Sequence, residues 1–177
     1  MKITLDHARN SGIHTNTLAR LMRHLKDNEP FDIREVNKVG DVLDIVNCWS
    51  ASGLHEKEAR LLAMKCVDLI LPVSDNVHME TVRRYISGQA TKDELIESNK
   101  RLAELAIAAA TKQQTTHPDH YLRSFRQITA LRALTEPDFL GTPFYTAVSI
   151  PYHAYIDGVD YHSKVIVYMQ RALAELQ

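Results

Sequence analysis

Several kinds of protein are excluded by what this chain has little of. Two cysteines in 177 residues cannot build a disulfide framework. Cys48 and Cys66 each lie among apolar neighbours, Val46 and Trp49 for the first, Met64 and Val67 for the second, a setting for reduced, buried thiols. No apolar run approaches the roughly 20 residues of a membrane-spanning helix. Met1-Lys2-Ile3 leads into Asp6, His7 and Arg9 instead of a signal-peptide core, so a cytoplasmic protein is expected. An excess of one charge is also missing: 21 basic against 22 acidic residues leave a formal charge of −1, with no global field toward nucleic acid or an anionic membrane. The six glycines form no phosphate-cradling loop, and neither a Gly-x-Ser-x-Gly elbow nor a His-Glu-x-x-His zinc motif occurs. P-loop, Rossmann and serine-hydrolase chemistry are set aside on these grounds, and no cofactor is expected.

Helical punctuation is abundant, and Glu58–Thr111 shows it best. Ala59, Leu62, Ala63, Cys66 and Ile70 recur at helical spacing until Leu71-Pro72, a second run from Val77 to Ile86 stops at Ser87-Gly88, and Thr91-Lys92-Asp93-Glu94 opens a third. Proline lacks a backbone donor, glycine tolerates the left-handed residue that closes a helix, and Thr-x-x-Glu caps a new one reciprocally. Helices are expected near 4–10, 14–27, 32–49, 55–71, 76–87, 92–112, 118–135, 144–157 and 162–175, and no strand signal competes. The expected fold is all-α: a single-domain multi-helix bundle over 1–177, about eight or nine helices with short connections, the first 30 residues forming an N-terminal helical corner. Its core should include Leu95, Leu102, Leu105, Ala106 and Ala109 on one helix and Ile166, Met169, Ala172 and Leu173 on another. The alanine-rich Ala103–Ala110 should let a neighbouring helix approach closely.

Three segments could carry chemistry or recognition. Ala8, Gly12, Ile13, Leu18 and Leu21 fall near the turn and core positions of a helix-turn-helix, which would make His14, Thr15, Asn16, Arg20 and Arg23 the DNA-contacting set. His7 sits where that motif is apolar, and an ordinary helical corner explains the same residues. At the other end, five of the seven tyrosines lie between Tyr145 and Tyr168. Tyrosine offers large contact area at small entropic cost and keeps a hydroxyl for pairing, so Tyr145, Tyr152, Tyr155, Tyr161 and Tyr168 are the candidate protein-binding surface. Core packing is the bland alternative. Within that region His153 and Asp157 would share a face of a continuous helix, and Asp160 and His162 could fold back to complete a metal site for a hydrolase. A histidine bonded to a carboxylate is the commoner arrangement. His117-Pro118-Asp119-His120 reads as a helix start, with proline in the first turn and Asp119 at the positive end of the dipole.

Trp49, then Glu58-Ala59-Arg60-Leu61-Leu62-Ala63, Cys66-Val67-Asp68-Leu69-Ile70-Leu71-Pro72 and Arg84-Tyr85-Ile86-Ser87-Gly88, resemble a helical immunity-protein family. Its members protect their producers from polymorphic toxins, and similar uncharacterised proteins occur in bacteria and phages. The resemblance spans roughly residues 45–112, and Ala8–Leu25 with Ser11-Gly12 is similar to the start of some longer members. It implies an all-helical fold, packing and turn roles for Trp49, Arg60, Pro72 and Gly88, and a role in binding and neutralising a protein. No catalytic set comes with it. The expectation is a non-enzymatic module that binds a protein partner. Self-association is open, and nucleic acid is the rival partner.

Overall fold

The computed structural model describes residues 2–10, 15–24, 29–32, 42–52, 56–71, 76–112, 118–156 and 158–175. Nine helices dominate these residues: α1 (Leu5–Asn10), α2 (Thr15–His24), α3 (Val42–Ser52), α4 (Glu56–Asp68), α5 (Val77–Ile86), α6 (Lys92–Lys112), α7 (Pro118–Thr135), α8 (Thr142–Tyr152) and α9 (His162–Glu175). The fold is all-α. No helix among the described residues is long and apolar enough to cross a membrane.

The middle of the chain folds as its punctuation directs. Asn76 caps α5 through its side-chain oxygen, which accepts the His78 and Met79 backbone N–H groups at 3.0 and 3.3 Å. Gly88, at φ +79°, takes the left-handed turn after α5, and its N–H donates to the Tyr85 carbonyl. Thr91 and Glu94 then form the reciprocal cap of α6: the Thr91 N–H donates to Glu94 Oε2 at 2.8 Å, and the Glu94 N–H to Thr91 Oγ1 at 3.3 Å.

α8 is the central element, packed against α3, α4, α7 and α9. It buries Phe144, Ala147, Val148, Pro151 and Tyr152. Around it, one cluster of buried residues extends from Leu5 to Met169 and includes Trp49, Ala59, Leu62, Ala63, Val67, Leu95, Leu102, Leu134 and Phe139. Cys48 and Cys66 are both buried and free, and burial pushes the Cys66 thiol up to about 12.

The structure corrects the sequence reading in three places. Strands do form, as two short antiparallel ladders: β1 (Lys2–Ile3) with β2 (Phe31–Asp32), and β3 (Tyr155–Ile156) with β4 (Val159–Asp160). The first occupies residue 32, where a helix was expected to start; the described part of that helix is Val42–Ser52. The second replaces the C-terminal end of the expected helix 144–157. Pro151 has no N–H to continue the ladder of hydrogen bonds, α8 stops at Tyr152, and Ile156 pairs with Val159 across a two-residue connection containing Gly158 at φ +77°. An Asp-Gly pair flanked by Tyr, Ile and Val is a hairpin signal that outweighs the helical spacing on either side. Third, Leu105 is 50 % exposed, although Leu95 and Leu102 on the same stripe of α6 are buried. Ala106 and Ala109 are half-buried, because the stripe outlasts the elements that cover it. On α9 Met169 is buried and Ile166 packs beside the core, while the side chains of Ala172 and Leu173 lie outside the described set.

Candidate functional site

The tyrosine region divides between core and surface. Tyr145 on α8 and Tyr168 on α9 are each 37 % exposed, with Val167 and Val159 also open to solvent. Tyr161 is half-buried, its N–H donating to the Ala154 carbonyl at 3.1 Å and its ring 5.0 Å below the Lys164 ammonium. Tyr152 is buried, with only 6 % of its surface exposed, so it offers no contact area to a partner and belongs to the core instead. The Tyr155 side chain lies outside the described set.

The metal geometry read from the sequence needed a helix running from His153 to Asp157. That helix ends at Tyr152 with His153 as its C-cap, so the shared helical face does not exist. Asp157 itself is outside the described residues. His153 and His162 instead flank the Tyr152 ring, with centroids 4.8 and 4.1 Å away, and Asp160 Oδ1 accepts the His162 backbone N–H at 3.0 Å. Among the described residues no three His, Cys, Asp or Glu side chains converge on a point. His117 is likewise outside the described residues, and the side chains of Pro118, Asp119 and His120 at the start of α7 are not described.

The N-terminal candidates sit on α2. Thr17 faces inward, 1 % exposed, and its hydroxyl donates to the buried Asp44 carboxylate of α3 at 2.6 Å. Arg20 donates to Thr17 Oγ1 at 3.1 Å, and Arg23 Nε to the Ala19 carbonyl at 3.2 Å. Thr15, Asn16, Arg20 and Arg23 are exposed on the outer side, while His14, Gly12 and Ile13 lie outside the described residues.

Two features were not legible in the sequence. The first is a buried cation. Arg60 of α4 is fully enclosed: it donates to the carbonyls of Leu134 and Glu136, at the end of α7 and just beyond, and to Glu56 Oε1 at 2.5 Å. Its guanidinium lies 4.3 Å from the Phe139 ring centroid and 5.1 Å from that of Tyr85. Burial pulls its pKa down from the ordinary value, and Glu56 opposes the shift. Asn99 of α6 completes the clamp by donating to the Arg132 carbonyl, Thr135 Oγ1 and Glu136 Oε1 at 2.9 to 3.2 Å. Enclosed and bonded to Glu56, Leu134 and Glu136, Arg60 ties α4 to the end of α7, with Tyr85 of α5 and Asn99 of α6 in the same cluster. Its traces in the sequence were the Glu56-x-x-x-Arg60 spacing and the packing role that the family resemblance implies for Arg60; the acceptors from α7 left none.

The second is a groove of about 210 Å³ between α5 and α6, lined by Val77, His78, Thr81, Glu94, Glu97, Ser98 and Arg101. His78 Nδ1 and the buried Ser98 hydroxyl are 2.7 Å apart. Desolvation, with the Arg101 charge adding to it, holds the His78 pKa below its ordinary value. The folded protein therefore takes up this proton less readily than the unfolded chain, and stability present above about pH 6.5 is lost as the pH falls through that value, levelling off below the folded pKa. Chemical denaturation at about pH 7.5 and 5 should show a larger acid loss in the native chain than in His78→Gln. Equal losses would refute the assignment. The Ser98 side chain is buried on α6 and its hydroxyl is held by His78, so the pair reads as packing of α5 on α6.

These observations define an all-α multi-helix fold with one exposed tyrosine on α8 and one on α9 among the described residues. Comparison with family models, with curated proteins and with solved structures finds no match to this chain.

Proposed function

We propose that this chain is a non-enzymatic, cytoplasmic protein-binding module of the immunity-like kind, which neutralises a protein partner through the surface carrying Tyr145 and Tyr168. One observation supports the site: four of the ten exposed large apolar side chains among the described residues, Tyr145, Val159, Val167 and Tyr168, belong to α8, α9 and the hairpin between them. An exposed tyrosine brings area, little entropic cost and a hydroxyl, which is what an interface anchor needs. The sequence resemblance over residues 45–112 supports the immunity-like character, and it leaves the tyrosine surface as the part that would differ from one partner to another.

Affinity capture from a native lysate of the source organism tests this reading. The native chain should retain one stoichiometric protein, and Tyr145→Ala/Tyr168→Ala should weaken its binding by about 30-fold or more, the effect of losing two anchors of at least about 1 kcal/mol each. Equal recovery from both would sink the proposal. Tyr152 is unsuitable for this experiment, since its truncation would open the core.

A second reading has the exposed Thr15, Asn16, Arg20 and Arg23 of α2 in its favour. If that face contacts duplex DNA, binding should fall steeply with salt and drop further in Arg20→Ala/Arg23→Ala. No mobility shift at low salt would eliminate it.

A further inference from the structure

We infer that the partner meets this surface with an acidic amphipathic helix, whose carboxylates seat on Lys164 and Arg171 and whose apolar side chains lie between them on Val167 and Tyr168. This rests on the reading of Tyr145 and Tyr168 as contact residues, and it adds the chemistry of what they contact.

The outer side of α9 is set by its inner one. Val165 and Met169 are fully buried and Ile166 packs beside the core. Lys164, Val167, Tyr168 and Arg171 recur at intervals of three and four residues, so they form one stripe on the opposite side of the helix, and all four are exposed. The stripe is about 10 Å long, the rise of seven helical residues. Its two ends are cations and its middle is apolar. Ser163 and Gln170 border it without adding charge.

These two charges have no internal counterpart. On α5 and α6, Arg83 and Arg101 are each met within a turn, by Glu80 at 3.5 Å and by Glu97 at 3.2 Å. On α9 no acidic residue occurs from His162 to Ala174, and among the described residues no carboxylate lies within ion-pair distance of Lys164 or Arg171. Asp160, on the hairpin before the helix, directs Oδ1 to the His162 backbone N–H at 3.0 Å. Glu175 follows Arg171 by a turn, with its side chain outside the described set. The Lys164 ammonium is already placed at its end of the stripe, 5.0 Å over the Tyr161 ring, so binding has less side-chain freedom to remove.

Spacing and charge together select the occupant. On a partner helix, carboxylates seven residues apart with apolar side chains three and four residues after the first repeat this pattern in the opposite sign. Two such helices packed at a shallow angle bring each carboxylate to a cation and keep the apolar middle dry. The pattern reads the same in both directions, so parallel and antiparallel approach satisfy it equally. A polyanion fits less well: two cations release few counterions, the chain carries a formal charge of −1, and Val167 offers nothing to a phosphate backbone.

Fluorescence anisotropy on the full chain tests this with a labelled synthetic helix carrying Glu at two positions seven apart and Leu at the two between them, and with the same peptide carrying Lys in place of Glu. The native chain should bind the Glu peptide at least about 10-fold more tightly than the Lys peptide, and less so as salt rises from about 50 to 300 mM. Lys164→Glu/Arg171→Glu should reverse that order at an unchanged thermal midpoint, because both side chains are exposed, and Tyr168→Ala should weaken the Glu peptide at every salt concentration. Binding of neither peptide, equal binding of both, or tighter binding of oligothymidine than of the Glu peptide would overturn the inference. In the lysate experiment, a partner lost by Tyr145→Ala/Tyr168→Ala but kept by Lys164→Glu/Arg171→Glu would remove the acidic helix and leave the tyrosine surface standing.

Discussion

Arg60→Met is expected to cost about 3–5 kcal/mol of stability, the largest effect of any polar substitution in this chain. The methionine fills much of the same volume between Tyr85 and Phe139 but donates nothing. The carbonyls of Leu134 and Glu136 then lose their donor at a point where Arg60 itself is fully shielded from water, each at a cost of about 1–3 kcal/mol. Glu56 behaves differently, since its side chain is 34 % exposed and can recover water when its partner goes. Glu56→Gln should therefore cost only about 1 kcal/mol, and the ratio of the two losses is the informative quantity. Urea unfolding followed by circular dichroism would measure both. Equal losses would mean that the Glu56 ion pair, and not the capping of the end of α7, is what holds Arg60 in place. Arg60→Lys should lie nearer to methionine than to the native protein, because a single ammonium cannot reach all three acceptors in one plane.

Trp49→Ala should be about as damaging, at roughly 3–5 kcal/mol, for an apolar reason. The indole is 1 % exposed, and Phe144 meets it edge-on, with centroids 5.8 Å apart and planes at 87°. Phe144 in turn lies 5.4 Å from Phe139, which stacks on the Arg60 guanidinium. No neighbouring side chain can collapse into the space of an indole without leaving this chain of rings, so most of the cavity would persist. Trp49→Phe should lose less than half as much. Since the chain has one tryptophan, its emission reports this site alone: a blue-shifted maximum in the native protein that moves red in a single transition. An emission maximum typical of water in the native state would contradict the burial. Because Trp49 and Arg60 are joined through Phe139 and Phe144, the double variant should lose less than the sum of the singles.

Helix positions were read where local chemistry is decisive. The Thr91 cap, the Gly88 turn and the stripe Ala59, Leu62, Ala63, Cys66 and Ile70 act within a few residues of themselves, and each one is in place. The hairpin at Gly158 was misread although its signal was equally local. Helical spacing carries the expected helix past Pro151 to residue 157, whereas α8 ends at Tyr152. The tyrosine set shows a different limit. Tyr145 and Tyr152 are seven residues apart on one helix, the spacing that should place them on the same face, yet one is in water and the other in the core. The reason lies in what stands opposite them: α8 packs on α9, and at its Tyr152 end His162 lies against the ring.

Sequence alone determined the all-helical class, the stop at Gly88, the cap at Thr91, and two cysteines set apart among apolar neighbours, because each depends on backbone chemistry or composition within a turn or two. Tertiary structure alone decided that Arg60 is enclosed, that Tyr152 leaves the surface, and that α6 runs on past its cover to expose Ile107. Those outcomes depend on which distant segment supplies the acceptors, the ring or the missing neighbour, as when Leu134 and Glu136 come to residue 60 from the far end of another helix. Spacing along one helix carries no record of such a meeting.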